Sequence, residues 1–183
     1  MKRKLDGMII ATFLSTIFYS ATYPFIHKEL VSVASETIIA VTQIITCVSV
    51  VVFGWVWNKS SKLFKYYHIL CVAETLLGVV SSLIATLIGN IIAYYIIDTL
   101  IFSIVTRNII CGGNKLRAMR YTTETAREHF DNNNLSANAV ATIIGSIIAM
   151  ILKLDFIPML WIATVGNAID NAFYIAIYRK QKK

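Results

Sequence analysis

The sequence predicts an all-α membrane protein: a single domain, residues 1–183, folded as a bundle of six transmembrane helices with both termini in the cytoplasm. Three observations carry this. First, the chain is 57% hydrophobic and only 15% charged, with mean hydropathy +0.67. That is too little charge to cover a water-soluble domain of this length. Second, six apolar stretches each approach the roughly 20 residues that a helix needs to cross a bilayer core. Third, every Lys and Arg except Lys28 and Lys153 falls on one side of the membrane when those stretches are taken as spans.

The expected spans are 8–26, 35–57, 68–88, 91–110, 136–153 and 158–178. The runs are continuous rather than alternating, which selects helices over a barrel. The opening "MKRKLDGMIIATFLSTIFYS" has the basic-then-apolar form of a signal peptide. No small-residue cleavage site follows, so it reads as a retained first span. The second span ends in "FGWVWNKSSKLFK", residues 53–65. Trp55 and Trp57 suit the aromatic belt, and Lys59, Lys62 and Lys65 suit anionic headgroups beyond it. Spans three and four are separated by a tight Gly89-Asn90 turn. Residues 111–135 read as a cytoplasmic loop holding a short helix, with "DNNN" as a break and N-cap before span five.

The net charge is +7. Of the chain's 17 basic residues, all but Lys28 and Lys153 lie in the N-terminus, residues 58–67, residues 111–135 with neighbouring Arg107, and the C-terminus. That bias places these segments in the cytoplasm and the chain in the cytoplasmic membrane. It points to the lipid bilayer as partner and away from nucleic acid. Cys47, Cys71 and Cys111 form no CxxC and read as small packed hydrophobes. His27, His68 and His129 are too scattered for a metal site, and no cofactor is implied. No Ser-His-Asp, paired-carboxylate, P-loop or HExxH arrangement occurs, so the chain is not expected to be an enzyme.

Ionisable groups inside lipid are expensive and need a reason. Asp98 falls near mid-membrane, and Tyr95, Asp98, Thr99, Phe102 and Thr106 share one helical face. Such a stripe suits a substrate or proton path, or an acid hydrogen-bonded to a neighbouring helix. Asn167, Asp170, Asn171, Tyr174 and Tyr178 share a face of span six and suit interhelical hydrogen bonding. Glu74 lies about two turns from the cytoplasm, where it could pair with Arg107. Tyr19, Thr22 and Tyr23 lie near the outer end of span one, and Thr42, Gln43 and Thr46 in mid-span two. Asn138, Thr142, Gly145 and Ala149 give span five a small, polar face suited to close packing.

One loop resembles a known signature. In "GWVWNKSSKLFK", Gly54 takes the Gly position, Asn58 the Asp position, and Lys59 and Lys62 two basic positions of the loop motif between spans two and three of the major facilitator superfamily. The long basic loop after span four and the ending "GNAIDNAFYIAIYRKQKK" are also similar to the first half of a facilitator. Ser61 replaces the motif's second Gly, and Asn58 lacks its acid. The resemblance implies a six-helix half; the three spans in each half of the chain would permit a weak three-plus-three inverted repeat. Spans one and four would line a cavity, which raises Asp98, Tyr95, Thr99, Tyr19 and Tyr23 as a substrate or proton path. Spans two and five would meet the other half, with Asn138, Thr142, Gly145 and Ala149 at that interface. Glu74, Asp170, Asn167, Asn171 and Arg107 would form a structural polar network.

The expected function is therefore a half-size transporter of a small molecule or peptide, acting as a dimer, in which Asp98 could couple transport to protons. Two alternatives differ in class. One is a non-transporting interaction or immunity protein that binds a membrane partner or a membrane-active peptide. The other is a membrane-embedded substrate-binding subunit of a larger uptake complex.

Overall fold

The computed structural model describes residues 6–152 and 154–181. Lys2, Arg3, Lys4, Lys153, Lys182 and Lys183, which enter the charge argument above, lie outside the described residues. Six helices are long and apolar enough to cross a membrane: α1 (Gly7–Val33), α2 (Glu36–Lys59), α3 (Tyr67–Ile88), α4 (Ile91–Arg120), α5 (Glu124–Leu152) and α6 (Phe156–Gln181). A 3₁₀ turn, Ser61–Tyr66, leads into α3.

The helix ends follow local chemistry. Asp6 caps α1 by accepting from the Met8 amide at 2.9 Å, and Ser35 caps α2. Gly89 closes α3 with φ +64°, a conformation that costs other residues a Cβ clash.

The expected loop at 111–135 is corrected. Here α4 continues to Arg120 and α5 already starts at Glu124. The "DNNN" segment does not break the helix, and two of its four side chains find partners away from the backbone. Asp131 pairs with Arg117, Asn133 bonds His129 at 3.1 Å, and the Ser136 hydroxyl donates to the Asn132 carbonyl at 2.9 Å. Polar residues that compete for backbone groups in isolation do so weakly once they are engaged elsewhere.

The first turn of α1 and the last turns of α6 lie at one end of the bundle, where Gly7 approaches Ile177. Asp6 meets Tyr121 there, and Tyr178 donates to the Lys65 carbonyl at 3.2 Å. This terminal end holds the larger core: Met8, Trp57, Tyr67, Cys71, Ile109, Leu116, Phe130, Ile177 and Tyr178. The far end holds a small one of Ala85, Tyr94 and Leu160, packed by Ile26, Phe156 and Ile157.

The packing order is not the chain order. Helix α1 packs mainly on α5 and α6, α4 on α3 and α2, α3 on α6, and α1 more thinly on α4. Exchanging α1, α2 and α3 with α4, α5 and α6 maps this set of pairs onto itself. A thin α4–α6 contact is the one addition. The outermost helices, α2 and α5, each lie along a single neighbour, α4 and α1 respectively. Their other faces carry bare apolar side chains such as Ile44, Val48 and Val51 on α2, and Ile143, Ile147 and Ile151 on α5.

Candidate functional site

The three acids within the apolar runs gather where α3, α4 and α6 cross. Glu74 of α3 is 5% exposed. Its Oε1 accepts from the Thr106 hydroxyl of α4, and its Oε2 accepts from the Asn171 amide of α6 at 2.7 Å. The same amide also donates to Thr75 Oγ1 at 3.1 Å. Four groups on three helices thus satisfy one another, as burial of a carboxylate demands.

Asp98 and Asp170 flank this knot, each within electrostatic range of Glu74. Asp98 is half-buried beside Tyr94, one turn earlier on α4. Tyr94 belongs to the far-end core and packs edge-on to Phe156, ring centres 5.9 Å apart. Asp170 is half-buried facing Ser15 of α1. Its Oδ1 is enclosed with no hydrogen-bond partner among the described residues. Asn167 is half-buried one turn earlier. Arg107 follows Thr106 directly, within electrostatic range of Cys111.

The expected stripe on α4 is divided between two faces. Tyr95 bonds Thr42 of α2 at 2.7 Å, and Ser103 bonds Thr46 at 3.2 Å. Thr106, expected on the same face as Tyr95, instead turns to Glu74 of α3. The cause is a π turn over Phe102–Thr106. It inserts one extra residue and re-phases everything beyond it by about 100°. Thr99 is buried, and the Phe102 side chain lies outside the described ones.

On α1, Tyr19 and Tyr23 are 57% and 45% exposed, and their rings stack at 4.7 Å. His27 stacks on Tyr23 at 5.5 Å and extends the series. These rings form an open aromatic track along the outer half of α1. It is separate from the Glu74 knot.

The small face of α5 is taken up inside the chain. Asn138 accepts from the Thr16 hydroxyl at 2.9 Å, and Ala149 is buried. A Cβ at Gly145 would stand 2.6 Å from the Ile17 carbonyl oxygen and 2.8 Å from Ser20 Cβ. Of the four residues expected at a partner interface, Asn138 and Gly145 therefore serve α1, Ala149 is buried, and Thr142 alone is exposed. The surface that α5 leaves to a partner is its opposite, aliphatic face.

The loop-motif residues do not assemble a site. Gly54 lies within α2, where an added Cβ would meet nothing within 4 Å, and Asn58, Lys59 and Lys62 are exposed. The two tryptophans part company. Trp55 is exposed, with the Lys59 ammonium 4.2 Å from its ring centre. Trp57, expected in the aromatic belt beside it, is buried and donates from Nε1 to Asn108 Oδ1 at 2.8 Å.

Sequence reasoning missed the corner that closes the terminal end. Asp6 Oδ2 accepts from the Tyr121 hydroxyl at 2.5 Å and from Arg120 Nη2 at 3.1 Å. Burial, together with the bond to Asp6, raises the Tyr121 phenol above its ordinary pKa. Asp directly before a Gly that opens an apolar helix was the available signal. Among the described residues no cluster suited to a metal ion occurs. No family model, curated protein or solved structure matches the chain.

Proposed function

We propose that the chain is a half-size, facilitator-type transporter of a small molecule or peptide, inserted in the cytoplasmic membrane with both termini inside and working as a homodimer. The observation that carries this reading is the packing order. A bundle whose helix pairs are preserved when its first three helices are exchanged for its last three has the organisation of an inverted repeat, on which alternating access is commonly built. In such a unit α1 and α4 form the central pair. The aromatic track on α1 and Asp98 on α4 then supply the polar surface of a path. The bare aliphatic faces of α2 and α5 supply the surface for the second copy.

Asp98 is the proposed proton carrier. Reconstituted into vesicles holding a pH-sensitive dye, the wild-type chain acidifies the lumen when challenged with a library of small peptides and metabolites. Asp98→Asn, expressed and folded normally, does not. Undiminished proton movement by that variant excludes the carrier role.

A second reading, a non-transporting membrane interaction protein, draws support from the Glu74 knot. Its carboxylate is tied on both oxygens by partners on α4 and α6, as a structural anchor would be. On that reading Asp98→Asn is silent, and substitutions on the aliphatic face of α5, such as Ile147→Asn, abolish copurification of a different membrane protein.

A further inference from the structure

At the far end, a hollow of about 240 Å³ opens between the last turns of α1 and the turn into α6, lined by Phe25, Lys28, Glu29, Leu154, Asp155 and Phe156. Two separate segments build it, brought together by the packing of α1 on α6. Its floor is secured by Phe156, whose ring meets Tyr94 in the far-end core.

At the terminal end four charged side chains, Asp6, Arg117, Arg120 and Asp131, form two ion pairs. Around the hollow, Lys28, Glu29 and Asp155 carry no ion pair or side-chain hydrogen bond among the described residues. One cation and two anions thus face a shared space without neutralising one another.

We propose that this hollow is a binding site for a zwitterion that carries an ammonium and a phosphate, the chemistry of phosphoethanolamine. Glu29 and Asp155 receive the ammonium, with the rings of Phe25 and Phe156 adding cation–π attraction. Lys28 receives the phosphate as a point charge; a planar carboxylate would be better served by the fork of an arginine. Among the described residues that line the hollow, two carboxylates stand against one lysine, which favours the ammonium as the group held most firmly. The hollow lies where α1 ends and α6 begins, at headgroup level for a chain that spans a bilayer, so a phosphatidylethanolamine headgroup reaches it from the side. Free phosphoethanolamine presents the same groups from the aqueous side. The inference does not depend on transport.

The test uses the full chain in discs of phosphatidylglycerol doped with either phosphatidylethanolamine or phosphatidic acid, with retained lipids counted by native mass spectrometry. The wild type retains phosphatidylethanolamine at least tenfold more strongly than phosphatidic acid, which lacks the ammonium. Glu29→Gln with Asp155→Asn removes that preference, while Lys28→Ala weakens retention and leaves the ammonium preference in place. These side chains are unpaired, so the variants keep wild-type circular dichroism. Free phosphoethanolamine that displaces the lipid shows that the headgroup alone is recognised; failure to displace it shows that acyl chains contribute. A wild type that holds both lipids equally overturns the proposal, and so does a double variant that keeps the preference.

Discussion

The two ends of the bundle are held together by different means. At the terminal end, aromatic and aliphatic side chains from all six helices share one core, and charged side chains close over it. Asp6 alone caps α1, pairs with Arg120 and accepts from Tyr121. Arg117 pairs with Asp131 and lies over the Phe130 ring, which packs tilted against Tyr121 with ring centres 4.6 Å apart. At the far end three buried residues form the core, and Lys28, Glu29 and Asp155 stand apart. Cohesion is therefore concentrated where the chain begins and ends. Any separation of the helices is expected to start at the far end and pivot on the terminal one.

The largest effect expected from breaking this contrast is at Gly112. A Cβ there would lie 2.5 Å from Tyr67 Cε2 and 2.9 Å from Trp57 Cη2, both inside the terminal core. Gly112→Leu should cost about 3 kcal/mol in detergent-denaturant unfolding followed by circular dichroism. A cost under about 1 kcal/mol would mean that the terminal core yields easily, and the contrast would fail.

Glu74→Ala comes next, at about 2–3 kcal/mol in the same assay, because it strands the Thr106 hydroxyl and leaves the Asn171 amide with Thr75 alone. Glu74→Gln should recover much of the loss by keeping an acceptor oxygen for Asn171. Equal losses from both substitutions would show that the negative charge, rather than the hydrogen bonds, holds the knot.

A smaller pair compares the ends directly. Asp6→Ala removes a helix cap together with a partly exposed ion pair and should cost about 1–2 kcal/mol. Asp155→Ala should stay within about 0.5 kcal/mol, since its side chain is exposed and has no partner among the described residues. Hydrogen exchange in lipid discs should show the Asp6 variant speeding exchange near residues 117–124 and the Asp155 variant leaving that region unchanged.

The smallest effect concerns pH. The Tyr121 phenol has a raised pKa in the fold, so the folded state favours its protonated form. Its contribution is complete below the ordinary phenol value near 10 and is lost as pH climbs past it. Tyr121→Phe should flatten that alkaline decline and lower stability at neutral pH by about 1 kcal/mol, the worth of the hydrogen bond to Asp6.

Apolar length made the six helices legible in the sequence, since few other patterns sustain such runs. The extensions of α4 and α5 beyond the apolar stretches were not. Asp131 and Asn133 are poor helix formers until Arg117 and His129 engage them. The three acids could be picked out because a carboxylate within an apolar run always demands a partner. Which partner could not be read, because one π turn changes the face on which Thr106 emerges. Trp57 shows the same gap: adjacent lysines suggest a membrane boundary, but only packing reveals that Gly112 leaves room for an indole. Likewise, the small face of α5 was visible in the sequence, whereas its occupant, α1 of the same chain, was not.

Native mass spectrometry of the chain released directly from its membrane into lipid discs tests the central claim most directly. A homodimeric half-transporter predicts complexes of two identical chains, lost when Val48 on α2 and Ile147 on α5 are replaced together by asparagine. A single chain, or one copy bound to a different protein, would contradict it.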